Sequence, residues 1–172
     1  GRNRSLADIG KALFEINPDY KLQIYSSERD KKYIKVLKGK TGIDYKGAIP
    51  YKEVMQIIHN SDIVVVAEGF EKKNIIITKY SLSTKAASGA QILAYGDSDC
   101  GVIGYLSSVG CAVMCTDKNT ELLKEKISNL INDSDLQKRL YDTSEKILNE
   151  HHSKERNLTL SEKMFNELTE NR

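Results

Sequence analysis

The sequence predicts an α/β domain with a doubly wound parallel sheet, helices on both faces and further helices at the carboxyl end. Three observations lead there. Ile63 to Val66 is an unbroken β-branched run, which reads as a strand buried on both faces, as parallel sheets require. From the start of the chain to Cys115, short strand-like runs alternate with helically spaced apolar residues, which implies right-handed crossovers. After Thr116 the pattern is helical alone.

Each element follows from its spacing. Leu6, Ile9, Leu13 and Ile16 recur at helical intervals, and Asn17-Pro18-Asp19 ends that run with turn chemistry. Lys21 to Ser26 alternates as a strand does; Tyr33, Ile34 and Leu37 then mark a second helix before the break between Gly39 and Gly42. Ile43 to Tyr45 is a short strand and Gly47-Ala48-Ile49-Pro50 a turn. Val54, Ile57 and Ile58 form the inner face of a helix with Pro50 in its first turn. The strand at 62–66 leads to a helix through Ala87, a strand at 91–95, a short helix near 101–108 with Tyr105 and Leu106 in the core, and a strand at 111–115. Downstream, Asp117 or Thr120 suits the cap of one helix and Ser134 that of another; the polar run HHSKERN precedes a last amphipathic stretch around Leu160, Phe165 and Leu168. A Rossmann-like unit normally opens on its central strand and a glycine-containing turn. This chain opens on a helix, and Gly1-Arg2-Asn3-Arg4 reads as the tail of such a turn, so a first strand and a preceding domain are expected upstream.

Composition narrows the function classes. At 172 residues and 40% apolar content the chain suits one domain, residues 1–172, with one good core. The net charge of +2 comes from 26 basic and 24 acidic residues spread along the sequence, which gives no stripe for nucleic acid. No apolar run approaches the roughly 18 residues that span a bilayer, and the start lacks the apolar core of a signal peptide. The expected location is the cytoplasm, with peripheral attachment at the inner membrane face as a further option. Cys100, Cys111 and Cys115 are odd in number and lack Cys-x-x-Cys spacing, so free, mostly buried thiols are expected.

The chemistry centres on the ends of the buried strands, where ligands bind in open α/β sheets. Glu68 directly follows the run at 63–66; the alternative from residue type alone is a solvated loop acid. Ser83, Thr84 and Lys85 stand where a loop enters a helix. Unpaired N–H groups, hydroxyls and an ammonium together suit a diphosphate, although Ser83 as a plain N-cap accounts for the pattern equally well. Arg4 is a second phosphate candidate, against an exposed helix-start arginine. Asp97, Ser98 and Asp99 follow the strand at 91–95 and are read as a tight turn or a sugar contact, with no Asp-x-Asp metal site and no metal expected. His59 suits a dipole partner near the end of its helix, and the adjacent His151 and His152 do not share a helix face.

Glu68-Gly69-Phe70, then Tyr80-Ser81-Leu82-Ser83-Thr84-Lys85 and Ser88-Gly89-Ala90-Gln91-Ile92-Leu93-Ala94, resemble the donor-binding half of retaining, glycogen-synthase-like glycosyltransferases of the GT-B fold. Asp44-Tyr45-Lys46-Gly47 with Ile49-Pro50 resembles the loop that meets the nucleotide base. The resemblance implies metal-independent transfer of a hexose from a nucleoside diphosphate to an acceptor hydroxyl, as in polysaccharide biosynthesis, with no cofactor beyond the substrate itself. It assigns Glu68 to the sugar and diphosphate as the catalytic carboxylate, and Ser83, Thr84, Lys85 and Arg4 to the diphosphate. Gly47, Ile49 and Pro50 go to the base, and Gly69, Phe70 and Asp97 to the sugar. A saccharide or lipid-linked acceptor would arrive on the N-terminal domain. Eight positions beyond Glu68, where many members place a ribose-binding glutamate, stands Ile76, so no ribose contact is assigned. The rival readings are a nucleotide-sugar epimerase of the same fold and a flavodoxin-like regulatory domain. The latter calls for a phosphoacceptor aspartate at a first strand, which this chain does not display.

Overall fold

The chain runs α1 (Arg2–Ile16), β1 (Leu22–Tyr25), β2 (Ile43–Gly47), α2 (Tyr51–His59), β3 (Ile63–Ala67), β4 (Gln91–Tyr95), α3 (Gly101–Val109), β5 (Val113–Cys115), α4 (Thr120–Asn132), α5 (Ser134–His151) and α6 (Lys154–Glu170). This computed structural model describes residues 2–26, 35–70, 90–151 and 153–170, with residues 2–4, 168 and 170 in backbone only. The expected helix through Ala87, and Tyr33 and Ile34 of the expected second helix, lie outside the described residues.

The strand pairings are all parallel: β1 with β2, β3 with β4, and β4 with β5. Period-two burial along β4 builds the layers. Leu93 and Tyr95 join a cluster with Ile9 and Ala12 of α1 and Leu123, Ile127 and Leu130 of α4. Ile92 and Ala94 face the other way, toward Val102, Ile103 and Leu106 of α3. Helices therefore cover both faces, which is why Ile63 to Ala67 and Gln91 to Tyr95 read as continuous apolar runs. Leu123, Ile127 and Leu130 are 0–1% exposed, and each such burial stabilises the fold by roughly 1.5–3 kcal/mol. Lys124 ties α4 to α1 by pairing with Glu15 at 3.2 Å, and its ammonium holds the Glu15 carboxyl below the usual range.

Several details differ from expectation. The strands form two sheets, β1-β2 and β3-β4-β5, and no ladder joins β1 to β3 among the described residues; Ile9 and Ala12 of α1 share one core with residues of both sheets. Strand β2 runs on through Gly47, which pairs with Tyr25, and Pro50 is the N-cap of α2 instead of a first-turn residue. Helix α2 has no fully buried residue; Val54, Ile57 and Ile58 are half-buried. Strand β5 begins only at Val113, after the buried Cys111 and Ala112. The cap of α4 is Asn119, whose side-chain oxygen accepts from the N–H groups of Glu121 at 2.9 Å and Leu122 at 3.2 Å. Asp133 does the same for α5, accepting from Leu136 N–H at 2.9 Å, so neither Thr120 nor Ser134 is the cap. A residue just before the helix has the extended backbone that lets its side chain fold over the first turn, which a residue already inside lacks. Leu106 is buried, Tyr105 half-buried, and all three thiols are free and buried.

The glycine pair Gly10 and Gly42 sets how closely α1 approaches the turn into β2. Gly42 has φ +71, and a Cβ there would fall 1.8 Å from the Gly10 carbonyl oxygen. Only glycine combines that conformation with that contact. Helix α6 contributes no buried side chain among the described residues: Leu158, Leu160, Met164 and Phe165 are 45–69% exposed. No helix among the described residues is long and apolar enough to cross a membrane.

Candidate functional site

Parallel strands of one sheet put their carboxyl ends on one edge, so the residues after β3, β4 and β5 gather there without being close in sequence. Glu68-Gly69-Phe70 leaves β3, Gly96-Asp97 leaves β4, and Gly47 to Pro50 leaves β2. Glu68 is 0% exposed, so the reading of a solvated loop acid is overturned: the residue follows the strand so closely that it stays under the layers covering it. Its N–H extends the β3–β4 ladder by donating to the Tyr95 carbonyl at 2.9 Å. Its own carbonyl accepts the Ser5 hydroxyl, from the first turns of α1, at 2.7 Å. Gly96 closes the remaining side, where a Cβ would stand 3.0 Å from Glu68 Cβ.

Aromatic packing continues the site. The Phe70 ring meets Tyr95 edge-on, with centroids 4.9 Å apart and planes at 69°. Tyr95 points its hydroxyl at Asp8 of α1, 3.5 Å away. Burial, then the neighbouring Asp8 carboxylate, push the Tyr95 phenol well above its ordinary value, so it stays a hydrogen-bond donor across the neutral range. Burial likewise pushes up the Cys115 thiol at the end of β5, with Asp117 reinforcing the effect. These groups are positioned and protonated, not poised as nucleophiles.

The other sequence-predicted residues fall as follows. Gly69 is buried, Phe70 half-buried and Asp97 half-buried, all on the same edge as Glu68. Gly47, half-buried Ile49 and exposed Pro50 lie at the end of the separate two-stranded sheet, where the Gly47 carbonyl accepts Ser26 N–H at 3.0 Å. Arg4 lies in the first turn of α1, with its side chain outside what is described; Ser83, Thr84 and Lys85 lie outside the described residues altogether. The run Asp97-Ser98-Asp99 does have Asp-x-Asp spacing, contrary to expectation. It is a turn: Asp97 Oδ1 accepts Asp99 N–H at 3.0 Å and Asp99 is exposed. No group of three metal-ligating side chains forms among the described residues. His59 and His151 are exposed.

Sequence reasoning missed Ser5, Asp8, Tyr95 and Gly96. A signal existed for Ser5, which precedes Ile9, Ala12 and Ile16 on one helical stripe and so places a hydroxyl on the core face. A shallow depression of about 360 Å³ along α5, lined by Asp135, Lys138, Arg139, Asp142, Thr143 and Lys146, draws its walls from one helix only and does not match a ligand site.

Comparison with known proteins adds evidence at the level of fold. No family model matches the chain, and no curated protein matches it. Among solved structures, the crystal structure of WaaG, a glycosyltransferase involved in lipopolysaccharide biosynthesis, resembles it with a TM-score of 0.56 at 12% identity. The match covers 87% of this chain and 38% of that one, so the chain spans well under half the length of that glycosyltransferase. What is shared is the architecture, parallel strands flanked by helices on both sides: the fold is α/β, Rossmann-like and similar to that of a GT-B glycosyltransferase.

Proposed function

We propose that this chain is the nucleotide-sugar-binding half of a GT-B glycosyltransferase, supporting metal-independent transfer of a hexosyl group from a nucleoside diphosphate to an acceptor hydroxyl. The observation that carries this reading is Glu68: a wholly buried carboxylate just past a central strand, before Gly69 and Phe70, at the edge where open α/β sheets take ligands. A buried acid at a ligand edge is a functional-site candidate on placement alone. In this reading Glu68 faces the donor sugar and the loop 47–50 meets the base. Ser83, Thr84, Lys85 and Arg4, with helix N–H groups, offset the charge of the leaving diphosphate.

The acceptor, a saccharide or a lipid-linked one, is held by a separate domain, and the isolated chain binds donor without transferring sugar, since transfer needs both reactants in register. The split between the β1-β2 and β3-β4-β5 sheets supports the companion proposal that a strand upstream of α1 lies between them, in the usual doubly wound order. The reading also places the protein in the cytoplasm. Thermal-shift screening of uridine, guanosine and adenosine diphosphates and their glucose conjugates tests the function. One base is expected to stabilise the chain, by about 2.7 kcal/mol at a hundredfold excess over Kd. Lys85→Ala should then weaken diphosphate binding by about 1.5–3 kcal/mol, the range for hydrogen bonds to charged groups. Absence of any stabilisation at millimolar ligand refutes the reading.

A further inference from the structure

We propose that Ser5 is a positioning residue for Glu68, setting the direction of its carboxylate through the peptide carbonyl that follows it. This rests on the reading of Glu68 as the residue at the donor sugar. Ser5 is 2% exposed, and its hydroxyl donates to the Glu68 carbonyl at 2.7 Å across 63 residues of sequence. Helical hydroxyls ordinarily fold back on the preceding turn, as Ser108, Thr143, Thr159 and Ser161 do here with the carbonyls of Tyr105, Arg139, Glu155 and Asn157. Ser5 instead reaches a strand end. A hydroxyl on the core stripe of α1 is costly unless bonded, and the bond it makes falls on the backbone carbonyl of Glu68, the one buried acid among the described residues.

The geometry leaves Glu68 little freedom. Its N–H is held from the sheet side by Tyr95 at 2.9 Å, its carbonyl from the helix side by Ser5, and Gly96 lies against its Cβ. The carbonyl bond fixes the torsion between the Glu68 Cα and its carbonyl carbon, and with it the exit of Gly69 and Phe70. Removing the hydroxyl frees that torsion and lets the side chain drift from its place at the sugar; drifts near 1 Å are enough to spoil a reacting geometry.

The test compares wild type, Ser5→Ala, Ser5→Thr, Glu68→Gln and the Ser5→Ala/Glu68→Gln double variant by calorimetric titration. The probes are UDP and UDP-glucose, or the guanosine or adenosine pair if the thermal screen selects that base. Ser5→Ala is expected to weaken sugar-nucleotide binding about tenfold while leaving the free diphosphate within about twofold, to add nothing in the Glu68→Gln background, and to be rescued by Ser5→Thr. If Ser5→Ala does not fold, Ser5→Cys, of similar volume and a weaker donor, takes its place with the same expected pattern. If Glu68→Gln itself leaves sugar-nucleotide binding unchanged, the reading of Glu68 fails and this inference falls with it. If Glu68→Gln weakens it but Ser5→Ala affects both ligands equally or neither, Ser5 is a packing residue and the inference alone is overturned.

Discussion

Gly96→Ala is the substitution whose outcome the geometry constrains most. The added Cβ would lie 3.0 Å from Glu68 Cβ and 3.2 Å from both the nitrogen and the carbonyl oxygen of Glu68. Unstrained carbon contacts sit at about 3.5–4.0 Å, so the new methyl overlaps Glu68 by roughly 0.5–1.0 Å. The neighbour it meets is backbone and Cβ, pinned on two other sides by Tyr95 and Ser5, and such atoms do not swing away as a side-chain tip does. Overpacking of this kind costs about 1–3 kcal/mol. At about 2–4 °C per kcal/mol for a domain of this size, the melting temperature should fall by about 2–12 °C. A shift of a few tenths of an ångström at Glu68 approaches the roughly 0.5 Å within which a binding constellation works, so sugar-nucleotide affinity should drop more than diphosphate affinity. Circular-dichroism melting and titration calorimetry measure the two effects. An alanine variant with wild-type melting and wild-type sugar-nucleotide binding refutes the claim that Gly96 and Glu68 are packed as a unit.

Further outcomes follow from other contacts. Gly42→Ala, with φ +71 and a Cβ 1.8 Å from the Gly10 carbonyl oxygen, should lose about 2–5 kcal/mol in urea unfolding from overpacking and left-handed strain together; a loss below 1 kcal/mol contradicts the close approach of α1. Removing residues 154–172 takes away a helix whose described side chains are exposed, so the melting temperature should stay within about 2 °C, read by the same melting assay. Burial raises the Cys111 and Cys115 thiols. A raised folded value adds stability that is complete below about pH 8.5, the unfolded thiol value, and is lost as pH rises from there through the folded values. Unfolding titrations should therefore show declining stability above that pH, less so in a Cys115→Ala variant. Gln91 Oε1 is buried without a partner among the described residues and its Nε2 makes only a long bond of 3.4 Å to the Gln137 carbonyl, so Gln91→Met should be neutral or stabilising by about 1 kcal/mol; a loss above about 1 kcal/mol in urea unfolding contradicts an uncompensated Oε1.

Local periodicity made most elements legible. The strand Gln91 to Tyr95 and helix α3 were readable because a continuous apolar run and a 3.6-residue stripe are unambiguous when bounded by glycine and turn residues. Element ends were less so. Asn119 and Asp133 captured the caps because a side chain placed before the helix competes better for its first N–H groups than one inside it, a contest decided by a single backbone torsion. The site divides in the same way. The places of Glu68 and Asp97 at strand ends were legible from the apolar runs before them, whereas Gly69 and Phe70 entered through the resemblance. Ser5 and Tyr95 were not, since nothing local in the first turns of α1 states that it will lie over the end of β3, 63 residues later. Contacts between distant segments are products of topology, and only the misplaced hydroxyl on an apolar stripe hinted at one.

The substitution Glu68→Gln separates a functional carboxylate from a structural one by whether turnover or melting changes. A structural acid earns its place through interactions that its removal would break, so Glu68→Gln would lower the melting temperature by the several degrees that a lost charge-assisted bond of about 1.5–3 kcal/mol implies. A functional acid acts on the substrate, so the loss of its charge is felt in turnover more than in melting. Glutamine matches its shape, keeps an acceptor oxygen and leaves the Ser5 and Tyr95 contacts untouched, since both are made with the backbone of residue 68. The amide removes the charge and one acceptor oxygen. Melting should stay within about 2 °C in Glu68→Gln, while the turnover rate of the full-length transferase falls, because only an interaction stronger in the transition state than in the ground state changes that rate. Nucleotide affinity should change little. A fall in melting temperature of several degrees assigns Glu68 to the core, and wild-type turnover in the variant removes it from the chemistry; either result leaves the edge of β3 without a functional carboxylate.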